Sequence, residues 1–226
     1  MRFGVIQFPG SCDEADALSA CRRFADAELL WHADPDLHGA DAVIIPGGFS
    51  YGDYLRAGAI ARFSPVMESV GEFALAGGPV LGICNGFQVL CEAGLLPGAL
   101  LPNTSLRFVC RQVDLEVVNP DTPFTRACEN DAVLSIPIKH TTGRFYAPDE
   151  ALDELEANGQ VLLRYADGHN PNGSLRDIAA ISNMRKNVMG LMPHPEHAVD
   201  ALTGSADGGK LFDSLVAHVS ELAAAA

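Results

Sequence analysis

Short apolar runs of strand length recur along the first part of this chain, and the stretches between them have room for a helix but little more. Arg2–Phe8 and Asp41–Pro46 stop at Pro9-Gly10 and at Pro46-Gly47-Gly48, as buried strands that end in turns do. Glu28–His32 and Pro79–Cys84 read as two further strands. Helix-compatible segments lie between and after them. The first is the acidic Cys12–Ala27, where Asp13 and Glu14 suit the positive end of a helix dipole. Val66–Ala76 is closed by Gly77-Gly78-Pro79, and Asn85–Ala93 is ended by Gly94. Strand, helix, strand at this spacing implies right-handed crossovers and a largely parallel, helix-covered sheet.

The pattern changes after Leu106. Leu106–Lys139 alternates and is rich in Val and Phe, as in Val113-Asp114-Leu115-Glu116-Val117, which suits antiparallel or edge strands with one solvated face. Val161–Tyr165, Ile178–Ser182 and Val188–Met192 continue the set, and Lys210–Leu222 closes it as an amphipathic helix with Leu211, Leu215, His218 and Leu222 on one face. No repeat or domain boundary interrupts the sequence. The expected fold is one α/β domain over residues 1–226, a mostly parallel central sheet flanked by helices, with additional antiparallel or edge strands.

Charge narrows the function classes. Acidic residues outnumber basic ones 29 to 15, for a net charge of −14, so nucleic acid and anionic membrane surfaces are repelled. No run reaches the roughly 18–20 apolar residues of a membrane helix, and the first ten residues carry no secretory leader pattern. The six cysteines form no C-x-x-C pair, and a chain able to bury about 70–75% of its unfolded surface has no need of disulfide staples. Reduced thiols in a cytoplasm are expected.

One of those thiols has a chemical setting. In Leu81-Gly82-Ile83-Cys84-Asn85-Gly86-Phe87-Gln88, glycines flank Cys84 at i−2 and i+2, the spacing of a nucleophile on a sharp strand-to-helix turn. That turn sets the sulfur beyond the carboxyl end of the sheet, beside helix N–H groups that favour an anion and can hold an oxyanion. The bland alternative is a tight turn around an inert, buried Cys. Cys91 and Cys110 read as small buried hydrophobes, and Cys12, Cys21 and Cys128 lack a flanking signature.

A base is offered by Met192-Pro193-His194-Pro195-Glu196-His197. Pro195 excludes His194 from the helical region, so an extended segment is expected, with Glu196 on the same side as His194 and able to fix its tautomer. A metal pair from His194 and His197 is disfavoured, because Pro195 breaks helical spacing and no third ligand is near in sequence. His32, His38, His140, His169 and His218 read as surface or core residues. The glycines of Pro46-Gly47-Gly48-Phe49-Ser50-Tyr51-Gly52-Asp53 suit the second half of an oxyanion hole. Together the motifs favour a Cys84–His194–Glu196 nucleophilic triad. The rivals are a redox-sensing protein with a reactive Cys, which would not need the His-Pro-Glu, and a binding module, which would not need a complete triad.

These residues resemble the class I glutamine amidotransferases, marked by Gly-x-Cys-x-Gly with His-Pro-Glu. The stretches around Pro9-Gly10-Ser11, Phe49-Ser50-Tyr51-Gly52-Asp53, Asn103-Thr104-Ser105 and Asn170-Pro171-Asn172-Gly173-Ser174 are similar to those of the glutaminase subunits of phosphoribosylformylglycinamidine synthases. The resemblance implies Cys84 as nucleophile, His194 as acid and base, and Glu196 as its orienter. It places the Gly48 and Asn85 N–H groups in the oxyanion hole and Gln88, Ser105 and Phe108 near bound glutamine. It implies no metal or cofactor in this chain. A large ATP- and Mg-dependent formylglycinamide ribonucleotide synthase subunit and a small bridging subunit are the implied partners; another synthase of the same class is the alternative. Two departures stand out: the turn before Cys12 lacks an Asn, and His140-Thr141-Thr142-Gly143-Arg144 replaces His-Gly-Glu-Gly-Arg. Both are expected away from the triad.

Overall fold

Strands β1 (Arg2–Gln7), β3 (Ala42–Ile45), β4 (Val80–Ile83) and β11 (Val188–Leu191) form where apolar residues are consecutive, because both faces of the sheet are covered there. The structure is a computed structural model that describes residues 1–225. With β2 (Asp26–Trp31), these strands make a parallel block in the order β2-β1-β3-β4-β11. Helices α1 (Glu14–Cys21), α2 (Pro65–Leu75) and α3 (Asn85–Glu92) lie in its crossovers.

The same sheet then reverses direction. After β11 come β10 (Ile178–Ser182), β9 (Val161–Tyr165), β6 (Val109–Val117) and β7 (Val133–His140), each antiparallel to its neighbour, for nine strands in all. Alternation marks only the outer pair, β6 and β7; β9 and β10 do not alternate as expected but are buried along nearly their whole length, because they lie inside the sheet. Val113, Leu115 and Val117 of β6, and Leu134, Ile136, Ile138 and His140 of β7, point inward while their neighbours face out. Both halves contribute to one hydrophobic core.

The structure differs from the sequence expectations in places. The helix expected over Cys12–Ala27 stops at Cys21, because Ala27 is needed as a buried residue of β2, paired with Phe3. Helix α4 (Asp149–Ala157) and a small ribbon of β5 (Ala99–Leu101) with β8 (Arg144–Tyr146) have no counterpart among the expected elements. Helix α5 (Gly209–Ala225) buries Leu211, Phe212, Leu215 and Val219, whereas Leu222 is 51% exposed and His218 half-buried. Phe212 sets that face by stacking on Phe24 at 5.4 Å and meeting Phe3 edge-on at 6.4 Å. Cys110 is exposed and Cys91 only partly buried, so neither fills the core as expected. No described helix is long and apolar enough to cross a membrane.

Candidate active site

Cys84 follows the last residue of β4 and precedes the first residue of α3, with φ 50° and ψ −102°. A non-glycine residue with this backbone is strained, and the surroundings over-determine it. Its N–H donates to the Leu191 carbonyl at 2.8 Å, tying the turn to β11. The flanking glycines have a steric reason. A Cβ on Gly82 would sit 2.5 Å from Leu90 Cδ1, and one on Gly86 would run into the Ile45 carbonyl oxygen. The sulfur therefore stands at the N-terminus of α3, where first-turn N–H groups have no helical acceptor.

β11 lies beside β4 in parallel register, Leu191 against Ile83, so the residues that follow it arrive next to Cys84. His194 is buried, and its Nδ1 lies 2.6 Å from Glu196 Oε1, itself buried. The segment is not extended as expected. His194 has φ −109° and ψ 85°, and Pro195–His197 forms a single 3-10 turn. Proline's fixed φ suits the first position of such a turn, and the turn brings Glu196 back under the ring. Burial alone would lower the His194 pKa. The Glu196 carboxylate and then the Cys84 sulfur outweigh it and raise it to about 10. His194 Nε2 is buried without a conventional hydrogen-bond partner, and the neighbouring Cys84 side chain is the group that acts on the ring besides Glu196.

Gly48 ends the loop after β3 with φ 135°, a conformation open to glycine, and a Cβ there would meet the Cys12 nitrogen at 2.5 Å. The loop's backbone hydrogen bonds run from Cys12, Asp13 and Phe49 and leave the Gly48 N–H unused. The Asn85 side chain braces this side: it accepts from the Ser50 N–H at 3.0 Å and donates to Gln88 Oε1 at 2.8 Å. Gln88 in turn donates to the Thr142 carbonyl at 2.5 Å.

A cavity of about 80 Å³ opens beside Cys84, with Gly48, Gln88 and Phe108 also on its wall, whereas His194, Glu196 and Asn85 do not line it. Ser105 is not on it. Its hydroxyl accepts from the Arg107 N–H at 3.3 Å, within a turn where Leu106 takes φ 53° and is solvent-exposed. The two departures from the family pattern are closer to the chemistry than expected, since Cys12, Thr141 and Thr142 all line the cavity. The reason is tertiary: the end of β7 meets the β1–α1 loop, where Lys139 pairs with Asp13, so segments distant in sequence share one cavity with Cys84.

Several site residues were not singled out from sequence. His140 lines the cavity; burial and the nearby His194 push its pKa down to about 4, which keeps it neutral. Its inward position follows the period-two pattern of β7, a signal present in the sequence. Asp53 lines the cavity as well, its pKa raised by burial against a pull from Asn85. Asp13, expected only as a favourable charge at a helix N-terminus, makes no capping hydrogen bond. It pairs with Lys139, and lies 3.4 Å from His197 Nε2 and 3.7 Å from His194 Nδ1. Asn103 and Asn172 carry the wall itself. Asn103 holds the His140 carbonyl at 2.9 Å and the Gly143 N–H at 3.1 Å, and Asn172 donates to the Gly143 carbonyl at 2.8 Å and to the Tyr165 hydroxyl at 3.1 Å.

Asp13, His194, Glu196 and His197 bring donor atoms within 4.8 Å of one another, a set of types that a divalent cation accepts. The Lys139 ammonium already answers the Asp13 carboxylate, and Glu196 already takes His194 Nδ1, so the cluster closes on its own charges.

Known proteins resemble this chain over most of its length. A protein of Mycobacterium tuberculosis named phosphoribosylformylglycinamidine synthase subunit PurQ is 60% identical over 209 residues, 92% of each chain. One of Salinibacter ruber with the same name is 55% identical over 232 residues, 99% of each. Among solved structures, PurLQS from Thermotoga maritima contains a chain with TM-score 0.89 and 42% identity, covering 96% of this chain and 98% of that one. A different glutamine amidotransferase from Thermotoga maritima shares the fold at 15% identity and TM-score 0.57, covering 99% of this chain and 85% of that one. The family described as the CobB/CobQ-like glutamine amidotransferase domain matches residues 2–214. With a Cys at a strained strand-to-helix turn, a His–Glu pair beside it and a match over nearly its whole length, the chain belongs to the CobB/CobQ-like glutamine amidotransferase family.

Proposed function

We propose that the chain is the glutaminase subunit of a phosphoribosylformylglycinamidine synthase, with residues 1–226 forming one amidotransferase domain. The observation that carries this is His194, buried with Nδ1 2.6 Å from Glu196 and its other nitrogen left to the Cys84 side. The Cys84 thiolate attacks the side-chain amide carbon of glutamine, and the carbonyl electrons move onto oxygen. The Gly48 and Asn85 N–H groups stabilise that oxyanion. The His194 imidazolium gives its proton to the amide nitrogen, the C–N bond breaks, and ammonia leaves behind a γ-glutamyl thioester. Neutral His194 then takes a proton from water, the hydroxide adds to the thioester carbon, and the C–S bond breaks to release glutamate and restore the thiolate–imidazolium pair. Glu196 keeps the imidazole in the required tautomer and stabilises its charged form. Gln88 and Phe108 bound the glutamine site.

None of these steps draws on a metal or cofactor held by this chain. The ammonia serves a large synthase subunit that uses ATP and Mg to convert formylglycinamide ribonucleotide to formylglycinamidine ribonucleotide in de novo purine biosynthesis. A small bridging subunit completes the assembly, which works in the cytoplasm. The PurQ names of the relatives and the PurLQS assembly support this reading. The test is reconstitution with a synthase subunit from one of those relatives. Cys84→Ala is expected to abolish synthesis from glutamine and to keep synthesis from added ammonium. Normal use of glutamine by that variant would overturn the assignment.

A further inference from the structure

The mechanism assigns His194 one carboxylate, yet the structure brings two to the same nitrogen. Nδ1 lies 2.6 Å from Glu196 Oε1 and 3.7 Å from Asp13 Oδ2. Asp13 arrives from the β1–α1 loop, more than 180 residues away in sequence, and its side chain is 5% exposed. Its neighbourhood is shaped for this approach. A Cβ on Gly47 would run into Asp13 Oδ2 and come within 2.7 Å of His194 Cε1, so glycine is what lets the two groups meet. Asp13 forgoes the capping bond open to an Asp at a helix N-terminus. Its other oxygen is taken by Lys139 Nζ, with His197 Nε2 3.4 Å away. We propose that Asp13 is a second positioning carboxylate for His194, with its charge set by Lys139, so that the ring is clamped between two acids whose combined field is tuned by one lysine. The proposal rests on the glutaminase reading for its catalytic consequence, and on geometry alone for its effect on His194.

The groups facing His194 come from every element packed on it. They are Glu196 and His197 from its own turn, with the two His rings 5.6 Å apart; Cys84 from the β4–α3 junction; Asp13 from the β1–α1 loop; and His140 from β7. Lys139, also on β7, faces Asp13 and Glu196. Burial opposes ionisation of Asp13, but His197, Lys139 and His194 outweigh it and hold the acid well below the usual carboxylate range. Asp13 is thus an anion throughout the working pH range. Replacing it by Asn removes a negative charge from the ring and makes the imidazolium easier to deprotonate. Replacing Lys139 removes the opposing positive charge and acts in the reverse direction.

The experiment follows the 15N signals of the His194 ring against pH in the full chain, for the parent, Asp13→Asn and Lys139→Met, with glutamine hydrolysis measured in the reconstituted complex. Expected are a downward shift of the His194 titration by about one pH unit in Asp13→Asn and an upward shift in Lys139→Met. In the complex, Asp13→Asn lowers kcat about three- to tenfold with KM for glutamine unchanged, and its activity fails at lower alkaline pH than the parent's. General loss of folding cannot produce shifts of opposite sign, and the thermal midpoint of each variant is recorded alongside. His194 titrating alike in all three chains overturns the proposal whatever the activities are. A parent complex that shows no glutamine turnover, or a Cys84→Ala complex that keeps it, overturns the glutaminase reading instead and leaves the titration test standing.

Discussion

The two halves of the sheet do different work around one cavity. The parallel half, β2-β1-β3-β4-β11, points all its strand carboxyl ends to a single edge, and that edge delivers Asp13, Gly48, Cys84 and His194 in turn. The antiparallel half supplies a wall: Lys139, His140, Thr141 and Thr142 at the end of β7, steadied by Asn103 and Asn172. β11 belongs to both, parallel to β4 and antiparallel to β10, and His194 follows directly from it. Groups on the parallel edge are fixed by backbone that is buried on both faces. On the wall, Lys139 and His140 are held by the β6–β7 ladder, while Thr141 and Thr142 lie beyond the strand end and are steadied by single bonds from the Asn103 N–H and the Gln88 side chain. Damage to the edge is therefore expected in kcat, and damage to the wall in KM.

The sharpest way to break this division is Cys84→Ala, whose glutamine-dependent rate should fall by roughly 10³-fold or more while ammonium-dependent synthesis survives. Comparable loss from a wall substitution such as Thr142→Ala would dissolve the contrast. Next in size is Glu196→Gln. The His194 pKa is raised to about 10 by charges that outweigh burial, so the imidazolium and its acid function persist below that pH and vanish above it. Without the Glu196 charge the alkaline limb of kcat should move to lower pH, and kcat at its optimum should fall about 10²-fold or more. An unmoved limb would show that Glu196 does not hold the proton.

Gly86→Ala probes the edge as structure rather than chemistry. The added methyl meets the Ile45 carbonyl, and overpacking of this kind costs about 1–3 kcal/mol, readable as a lower thermal midpoint. On the wall, Asn172→Ala removes the donor to the Gly143 carbonyl and the Tyr165 hydroxyl; steady-state kinetics should show KM for glutamine rising severalfold with kcat held within about twofold. Ser105→Ala sets the lower bound. Its hydroxyl lies off the cavity and serves one exposed turn, so both constants should stay put and stability should change by less than about 0.5 kcal/mol.

The contrast between halves also explains what was legible. The parallel strands and the Cys84 turn are local: consecutive apolar residues, glycines at fixed offsets and proline stops encode them within eight or so positions, and Val161–Tyr165 and Ile178–Ser182 fall on short runs of consecutive buried residues rather than on an alternating pattern. The His194–Glu196 pairing was legible, but its conformation was not. Two prolines permit either an extended segment or a tight turn, and packing against β7 through the His194 N–H and the Pro137 carbonyl, at 2.8 Å, selects the turn. Half of the α5 face is legible in its spacing: Leu211 and Leu215 are buried as spaced, while Phe24 and Phe3 draw Phe212 inward and leave Leu222 outside.

By itself, the sequence determined that a Cys stands between glycines at a strand-to-helix turn, which His and Glu stand in succession after a strand, and that strands and helices alternate. Each of these depends on interactions within a turn or two of chain, so a local pattern suffices. Tertiary structure alone decided the rest: that Asp13 leaves its helix cap for His194, that Lys139 answers it, that His140, Thr141 and Thr142 roof Cys84, and that Ser105 stands aside. Those contacts join residues from separate strands, and their distances are set by the order and register of the sheet, which no local window of sequence contains.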